Sequence, residues 1–520
     1  MPHQTPLSSA LSSTTQKKAA CLAVLGTGSD VGKSIVTAAL CRIFSNMGIN
    51  VAPFKAQNMS NNSGVTPEGL EMGRAQIVQA EAARIPPHTD MNPVLLKPVS
   101  DIGSQVILHG RPWMDATSRS YYQKKKELFS ESCCALDRLR TRHELIIMEG
   151  AGSCAEVNLL EHDIVNLRAA AQVDAPVILV ADIDRGGVFA QIVGTLACLP
   201  TQEQARIRGF IINRFRGDLS LFQPGIEWIE QRTGKSVFGV LPWFSHFHIE
   251  AEDAVVVEQT AGRLPTQTNK ALFAVIRLPH ISNFTDFDPL ARLPGCQLAY
   301  VRTAQDLSHC AAVIIPGSKS TRSDLAWLHQ SGWAEQLHAY RAAGGHILGV
   351  CGGFQMLGEE VQDPNGYEGD AGSSKGLAML PVQTRLQSPK TTTRTRFAWD
   401  EAQGMGYEIH MGSSTVPAGS QLFSVLARNK KACSDTDGCR SADGRVLGTY
   451  IHGLFDRPAI TRKWLDTIGL HSVALLLDPT QGHGPDERDQ AYEQLAEHAL
   501  AHLDMQAICA LLPPALRKFI

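Results

Sequence analysis

The sequence is marked first by what it lacks. It has no run of roughly 18 or more apolar residues, so nothing in it reads as a membrane span. Its charge is nearly balanced, 48 Lys and Arg against 51 Asp and Glu, for a net charge of −3. A chain so balanced has no field to draw in a polyanion, and nucleic acid is disfavoured as a partner. No internal repeat is visible, which excludes a solenoid. Among the 12 cysteines, neither Cys133-Cys134 nor Cys433…Cys439 has metal-finger spacing. Most cysteines sit in apolar runs, such as Cys21, Cys41 and Cys198, as expected of buried, reduced thiols in a cytoplasmic protein. The polar start of the chain has no apolar signal core and no arginine of a transit peptide, so residues 1–18 are read as a flexible tail. Nothing fixes an oligomeric state, and a homo-oligomer is compatible with the sequence.

What is present is 520 residues of ordinary globular composition, too long for a single core. Short β-type runs alternate with helical stretches. Strands are predicted at 21–25, 145–148, 177–180, 210–212 and 237–241. A helix is predicted over 33–47, where Val36, Leu40, Ile43, Phe44 and Met47 share one face. The polar, Gly- and Pro-containing stretch 259–270 breaks the pattern. Alternation resumes at 272–276, 298–301, 312–315 and 346–350, while 362–376, 387–396 and 428–444 read as polar loops. The expected fold class is α/β, with two doubly wound, mostly parallel-sheet domains at 19–260 and 261–520.

The first strand runs into Gly26-Thr-Gly-Ser-Asp-Val-Gly-Lys-Ser34 and then the helix. Glycines let backbone N–H groups turn inward, and a helix start favours an anion, so this is a phosphate loop. Gly28 and Gly32 shape it, Lys33 would reach the β- and γ-phosphates, and the Ser34 hydroxyl would take Mg²⁺. It is a variant, since Thr27 stands where the first glycine of the usual motif falls. Ligands collect at the C-terminal ends of parallel strands. There Glu149 is placed to meet Mg²⁺, Asp182 and Asp184 are further carboxylate candidates, and Asn213 could read a base edge. Each could instead be a cap or turn former.

Residues 346–353, HILGVCGG, put Cys351 directly after an apolar strand and before a helix, between Gly349 and Gly353. Small neighbours permit the tight turn that exposes a nucleophile, and a helix start favours a thiolate. The N–H of Gly352 would face a developing oxyanion. The base expected for such a thiol is His452, in YIHGLF, with His410, in GYEIHMG, as the runner-up.

Cys351 in GVCGGFQMLG and His452 in GTYIHGLF resemble class I glutamine amidotransferase domains. The N-terminal half resembles the P-loop group of dethiobiotin synthetase and the cobyrinate amidases. The strings PFKAQNMSNNS (53–63), MNPVLLKP (91–98), MEGAGS, DIDRGGVFA, INRFRGD, PGSKST (316–321) and GYEIHMG resemble the cobyric acid synthase family, over nearly the whole chain from about residue 19. The resemblance implies ATP, Mg²⁺ and glutamine as reactants. It also implies amidation of the b, d, e and g carboxylates of adenosylcobyrinic acid a,c-diamide, with Cys351 and His452 as the glutaminase dyad. Lys55 joins Lys33 at the phosphates, and the N–H groups near Gly317 and Gly352 hold the oxyanion. The amides of Gln57, Asn58, Asn61 and Asn62 could grip the corrinoid's arms or merely form a loop. Many class I domains carry a glutamate two residues after the histidine; here that residue is Leu454, leaving the third member open, with Glu408 and Asp456 as candidates. A cobyrinic acid a,c-diamide synthase or another P-loop amidoligase would share both sites. A P-loop ATPase switch would leave the cysteine unexplained.

Overall fold

The computed structural model describes residues 18–99, 103–244, 249–250, 262–265, 269–477 and 485–517. Residues 1–17 of the expected tail, and 259–261 and 266–268 of the break at 259–270, lie outside the described residues.

The first unit is built on a six-stranded, fully parallel sheet. Its order is Ser236–Pro242, Ile207–Phe215, Val177–Asp182, Ala20–Gly26, Leu145–Glu149, Val51–Phe54. Side chains alternate across a strand, so Cys21, Ala23 and Leu25 enter one core while Leu22 and Val24 enter the other. Both faces are thereby covered, which is why these strands are almost continuously apolar. The switch in strand order places Gly26, Glu149, Asp182 and Asn213 together at the C-terminal edge, with Asp182 opposite Asn213 in register. A smaller four-stranded sheet, Gln57–Met59, Val94–Pro98, Gly103–Leu108 and Arg111–Thr117, leads into the 25-residue helix Ser118–Arg142.

The second unit carries a ten-stranded sheet. Cys296–Val301, Ala271–Ile276, Ala312–Ile315, Ile347–Val350 and Val446–Thr449 are parallel, the first four where the apolar runs predict. The sheet then continues as antiparallel strands that include Thr391–Trp399, Ala402–His410, Gln421–Arg428 and Lys431–Arg440. Here the expectation of loops at 387–396 and 428–444 fails. Thr391–Trp399 reads TTTRTRFAW, with Thr395, Phe397 and Trp399 buried and Arg394 and Arg396 exposed. A half-solvated antiparallel strand needs only β-branched residues on alternate positions, and threonine supplies those without looking apolar.

The end of the chain returns to the first unit, although the sequence pattern groups it with the second. In helix Pro485–Leu500, Tyr492, Leu495, Ala496 and Ala499 are spaced as one stripe, and they share a core with Val36, Leu40 and Phe44 of helix Lys33–Asn46. The stripe is legible in sequence; the surface it covers is not. Between the units lies a buried ion cluster: Glu71 accepts from Lys97 of the first unit and Lys390 of the second, at 2.6 Å each. Of the cysteines expected in the interior, Cys21 and Cys41 are buried, whereas Cys198, the last residue of its helix, is exposed.

Candidate functional site

Two constellations stand out. The first is the phosphate loop. Gly32 has φ 98°, and a Cβ on it would fall 1.9 Å from the Asn213 side-chain nitrogen, so both backbone and space demand glycine. Asn213 Nδ2 donates to the Val31 carbonyl at 3.0 Å, pinning the loop to strand Ile207–Phe215, one strand beyond its neighbour. Lys33 Nζ rests on the carbonyls of Gly28 (2.8 Å) and Gly152 (2.9 Å). Ser34 Oγ donates to Glu149 Oε1 at 2.8 Å, and Lys55 Nζ donates to the same oxygen at 3.0 Å. Gln79 donates to the other Glu149 oxygen. The predicted residues Gly28, Gly32, Lys33, Ser34, Lys55, Glu149 and Asn213 are thus brought to one place. Asp182 and Asp184 are instead engaged by arginines: Arg214, in the cavity wall, binds Asp182 (2.9 Å) and Asp30 (2.8 Å), and Arg216 binds Asp184 (2.7 Å).

Beside the loop opens a cavity of about 660 Å³, a size suited to a nucleotide and part of a second substrate. Lys33, Ser34, Lys55, Gln57, Asn58 and Glu250 are among its walls. The amide-rich segment therefore divides. Gln57 and Asn58 face the cavity, while Asn61 Nδ2 donates to the Pro98 carbonyl at 3.3 Å and Asn62 turns to the second unit. Ser34 and Glu149 present hard oxygen donors side by side, which fits a magnesium ion that keeps its other positions for water and phosphate.

The second constellation is the thiol. Cys351 has φ 53° and ψ −109°, a strained turn for a residue with a Cβ. Its flanks are held by contact: a Cβ on Gly353 would sit 2.0 Å from the Ile315 carbonyl oxygen, and one on Gly349 would sit 2.7 Å from Gly353 backbone. This packing fixes the elbow whatever occupies the pocket. His452, 1% exposed, faces the sulfur, and a Cβ on Gly317 would lie 3.2 Å from its ring.

The residue sequence reasoning missed is Asp286. Its Oδ2 is 2.6 Å from His452 Nδ1, and its Oδ1 accepts the Gly453 N–H at 3.0 Å. Burial alone would lower the His452 pKa, but the Asp286 carboxylate and then the Cys351 sulfur raise it to about 10. The imidazole is therefore held as imidazolium at neutral pH. Tyr407 stacks on its other side, with ring centroids 5.2 Å apart. The two candidates for this place are engaged elsewhere. Glu408 accepts from Thr395 (2.6 Å) and Arg428 (3.0 Å) and lies 3.4 Å from His410. Burial opposes its charge, yet these partners hold it well below the usual carboxylate range. Asp456 is paired with Arg488 at 3.3 Å. His410, the alternative base, is stacked on Tyr450 and directed to Glu408 and the Gly412 carbonyl. The only sequence hint of Asp286 is an acidic residue three positions after Asn283, a residue type that tolerates the left-handed backbone this turn needs (φ 51°).

Among the described residues no helix is long and apolar enough to cross a membrane. Residues 22–255 match the family described as the CobQ/CobB/MinD/ParA nucleotide binding domain, and residues 273–460 match the CobB/CobQ-like glutamine amidotransferase domain. A cobyric acid synthase of Chlorobaculum tepidum is 51% identical over 498 residues, covering 94% of this chain and 97% of that one. One of Chlorobium chlorochromatii is 50% identical over 499 residues, covering 94% and 96%. With a nucleotide loop and a thiol–imidazole pair in one chain, and with relatives this similar end to end, the chain belongs to the cobyric acid synthase family and is an ATP-dependent, glutamine-hydrolysing carbon–nitrogen ligase.

Proposed function

We propose that the chain amidates the b, d, e and g carboxylates of adenosylcobyrinic acid a,c-diamide, using ammonia made from glutamine at Cys351. The observation that carries the proposal is the imidazole of His452 set between Asp286 and the Cys351 sulfur, in the same chain as the Lys33–Ser34–Glu149 cluster.

Cys351 attacks the glutamine side-chain carbonyl as a thiolate. The N–H groups near Gly352 and Gly317 receive the oxyanion. His452, an imidazolium, gives its proton to the departing ammonia, leaving a thioester; it then takes a proton from the water that releases glutamate. Asp286 keeps the ring oriented and stabilises its charge through both halves.

Ammonia passes to the first unit. There a corrinoid carboxylate attacks the γ-phosphate of ATP, ADP leaves, and an acyl phosphate forms. Ammonia displaces phosphate to give the amide. Activation is required because a free carboxylate is a poor electrophile. Lys33 and Lys55 offset the charge that spreads over the transferring phosphoryl group. Ser34 and Glu149 would hold Mg²⁺, which supplies further neutralisation of the phosphates when bound. Gln57 and Asn58 line the space left for the corrinoid's side chains. The unpaired cysteines support a reducing, cytoplasmic setting.

The test uses two nitrogen sources. Cys351→Ala should abolish amide formation with glutamine and retain it with an ammonium salt, with products counted by mass spectrometry. Equal loss with both sources in a folded protein overturns the two-site scheme.

A further inference from the structure

Asp286 does not sit on a strand or a long helix. It lies in the short turn Phe284–Phe287, entered through Asn283 in the left-handed conformation. Such a turn has little regular backbone hydrogen bonding to fix it. Within its own unit the Tyr300 hydroxyl donates to the Phe284 carbonyl at 2.9 Å and the Gly453 N–H to Asp286 itself; its other ties come from the first unit. The Asn283 side-chain oxygen accepts the Ser63 N–H at 2.9 Å, and Thr285 Oγ1 donates to Asn62 Oδ1 at 3.2 Å. Asn283, Asn62, Ser63 and Thr285 are all buried, so these bonds form where water does not replace them. The same loop is tied at its far side to the nucleotide cavity. The Arg74 N–H donates to the Asn62 carbonyl at 3.0 Å. The Arg74 guanidinium grips both oxygens of Glu250, one at 2.8 Å, and Glu250 is part of the cavity wall. An unbroken series of contacts thus runs from the amide-forming cavity to the carboxylate behind His452.

We propose that Thr285 and Asn283 are positioning residues, through which the Asn62–Ser63 loop of the ATP-binding unit sets the orientation of Asp286 and so readies His452 for glutamine hydrolysis. The inference rests on the glutaminase reading given above. It makes the two units one catalytic object: the thiol is complete only when the ATP-binding unit is docked upon it. The charged and titratable groups facing His452 are Asp286, Cys351 and the stacked Tyr407. Of these, Asp286 is the one whose turn is hydrogen-bonded to Asn62 and Ser63.

The experiment compares Thr285→Val and Asn283→Gly with Thr285→Ser in the full-length enzyme. Thr285→Val keeps the shape and removes the donor. Asn283→Gly keeps the left-handed backbone and removes the acceptor. Thr285→Ser keeps the hydroxyl. Glutamine hydrolysis is followed from neutral to alkaline pH, and amide formation is measured with glutamine and with ammonium. We expect kcat for glutamine to fall about tenfold in the first two, by analogy with loss of a single positioning hydrogen bond. KM for glutamine should stay the same, and the alkaline limb of the profile should move toward neutrality. Ammonium-driven synthesis should stay within about twofold of wild type, and Thr285→Ser should restore both rate and profile. Unchanged glutamine kinetics in Thr285→Val and Asn283→Gly overturn the proposal, as does parallel loss with both nitrogen sources. Failure of the wild-type enzyme to hydrolyse glutamine would instead sink the underlying reading, so the two failures are distinguishable.

Discussion

The two sites are held in opposite ways. At the thiol, position is enforced by contact: glycines at 349 and 353 where a single extra carbon would collide with backbone, and an imidazole buried against one carboxylate. At the phosphate loop, position is enforced by charge: Glu149 gathers Ser34, Lys55 and Gln79, and Lys33 rests on two carbonyls beside a wide cavity. Contact gives a geometry that exists before substrate arrives, as a nucleophile with one small substrate requires. Charge gives a geometry that can rearrange, since each ammonium can exchange a protein acceptor for a phosphate oxygen. That suits a site receiving a nucleotide, a cation and a bulky second substrate in succession.

The largest effect should follow from breaking the contact-held site at its one charge. Asp286→Asn preserves shape but presents the wrong partner to His452 Nδ1. By analogy with the equivalent change in other nucleophile–histidine–aspartate sites, glutamine hydrolysis should fall by about 10³–10⁴-fold. The sign of the pH effect is fixed. Asp286 raises the His452 pKa, so in the variant the imidazolium loses its proton at lower pH. Stability follows the same linkage. A histidine at about 10 when folded and near 6.5 when unfolded stabilises fully below about 6.5, and this is lost as pH rises through about 10. Denaturation of wild type and variant across this range should therefore converge at its alkaline end; a constant difference would show that the Asp286 charge is not the cause.

Lys33→Ala should break the charge-held site more gently, because a second ammonium, Lys55 on Glu149, remains in the cavity wall. Amide formation should drop by about 10²–10³-fold with glutamine and with ammonium alike, in line with loss of one transition-state donor. Glutamine hydrolysis should persist. If glutamine hydrolysis collapses together with synthesis, the separation of the two sites is wrong.

The same contrast explains what could be read in advance. The phosphate loop is contiguous, so strand, glycines, Lys33, Ser34 and helix are all visible within one stretch of chain. Cys351 announces itself for the same reason, because the elbow is made by its immediate neighbours. The parallel strands are legible because burial on both faces makes them continuously apolar. Asp286 is not legible, because it lies 166 residues before His452 and reaches it only through the fold. Its absence from the position two after the histidine, where Leu454 stands buried, could be seen; its replacement could not. Strands Thr391–Trp399 and Lys431–Arg440 escaped because most of their positions are polar and exposed or half-exposed, with burial confined to a few residues near one end. Asn213 shows a further limit. Its strand-end position was evident, but not that its amide would be directed at the loop's own backbone.

The smallest effect concerns the C-terminal segment, which braces one of the two regions. Arg42, on the helix that follows the phosphate loop, has a fully buried side chain that meets Asp489 at 2.5 Å and Glu493 at 2.8 Å on helix Pro485–Leu500. The Tyr492 ring lies 5.6 Å from its guanidinium carbon. Because the two acids are 49% and 32% exposed, water screens the pairs, and their worth is far below that of a sealed ion pair. Losing the arginine also removes its buried stem from the contact. Arg42→Ala should therefore cost about 1–2 kcal/mol, less than the roughly 3–5 expected for a fully buried pair. This would lower the melting temperature of the first unit by about 2–4 °C per kcal/mol. Among the described residues the thiol elbow and this helix lie in different cores, so glutamine hydrolysis at 25 °C should be unaffected. A calorimetric scan separates the alternatives: if Arg42→Ala shifts only the transition protected by ATP, the last helices belong energetically to the nucleotide unit, whereas no shift at all would mean that their shared core with Val36 and Leu40 holds them without the charge.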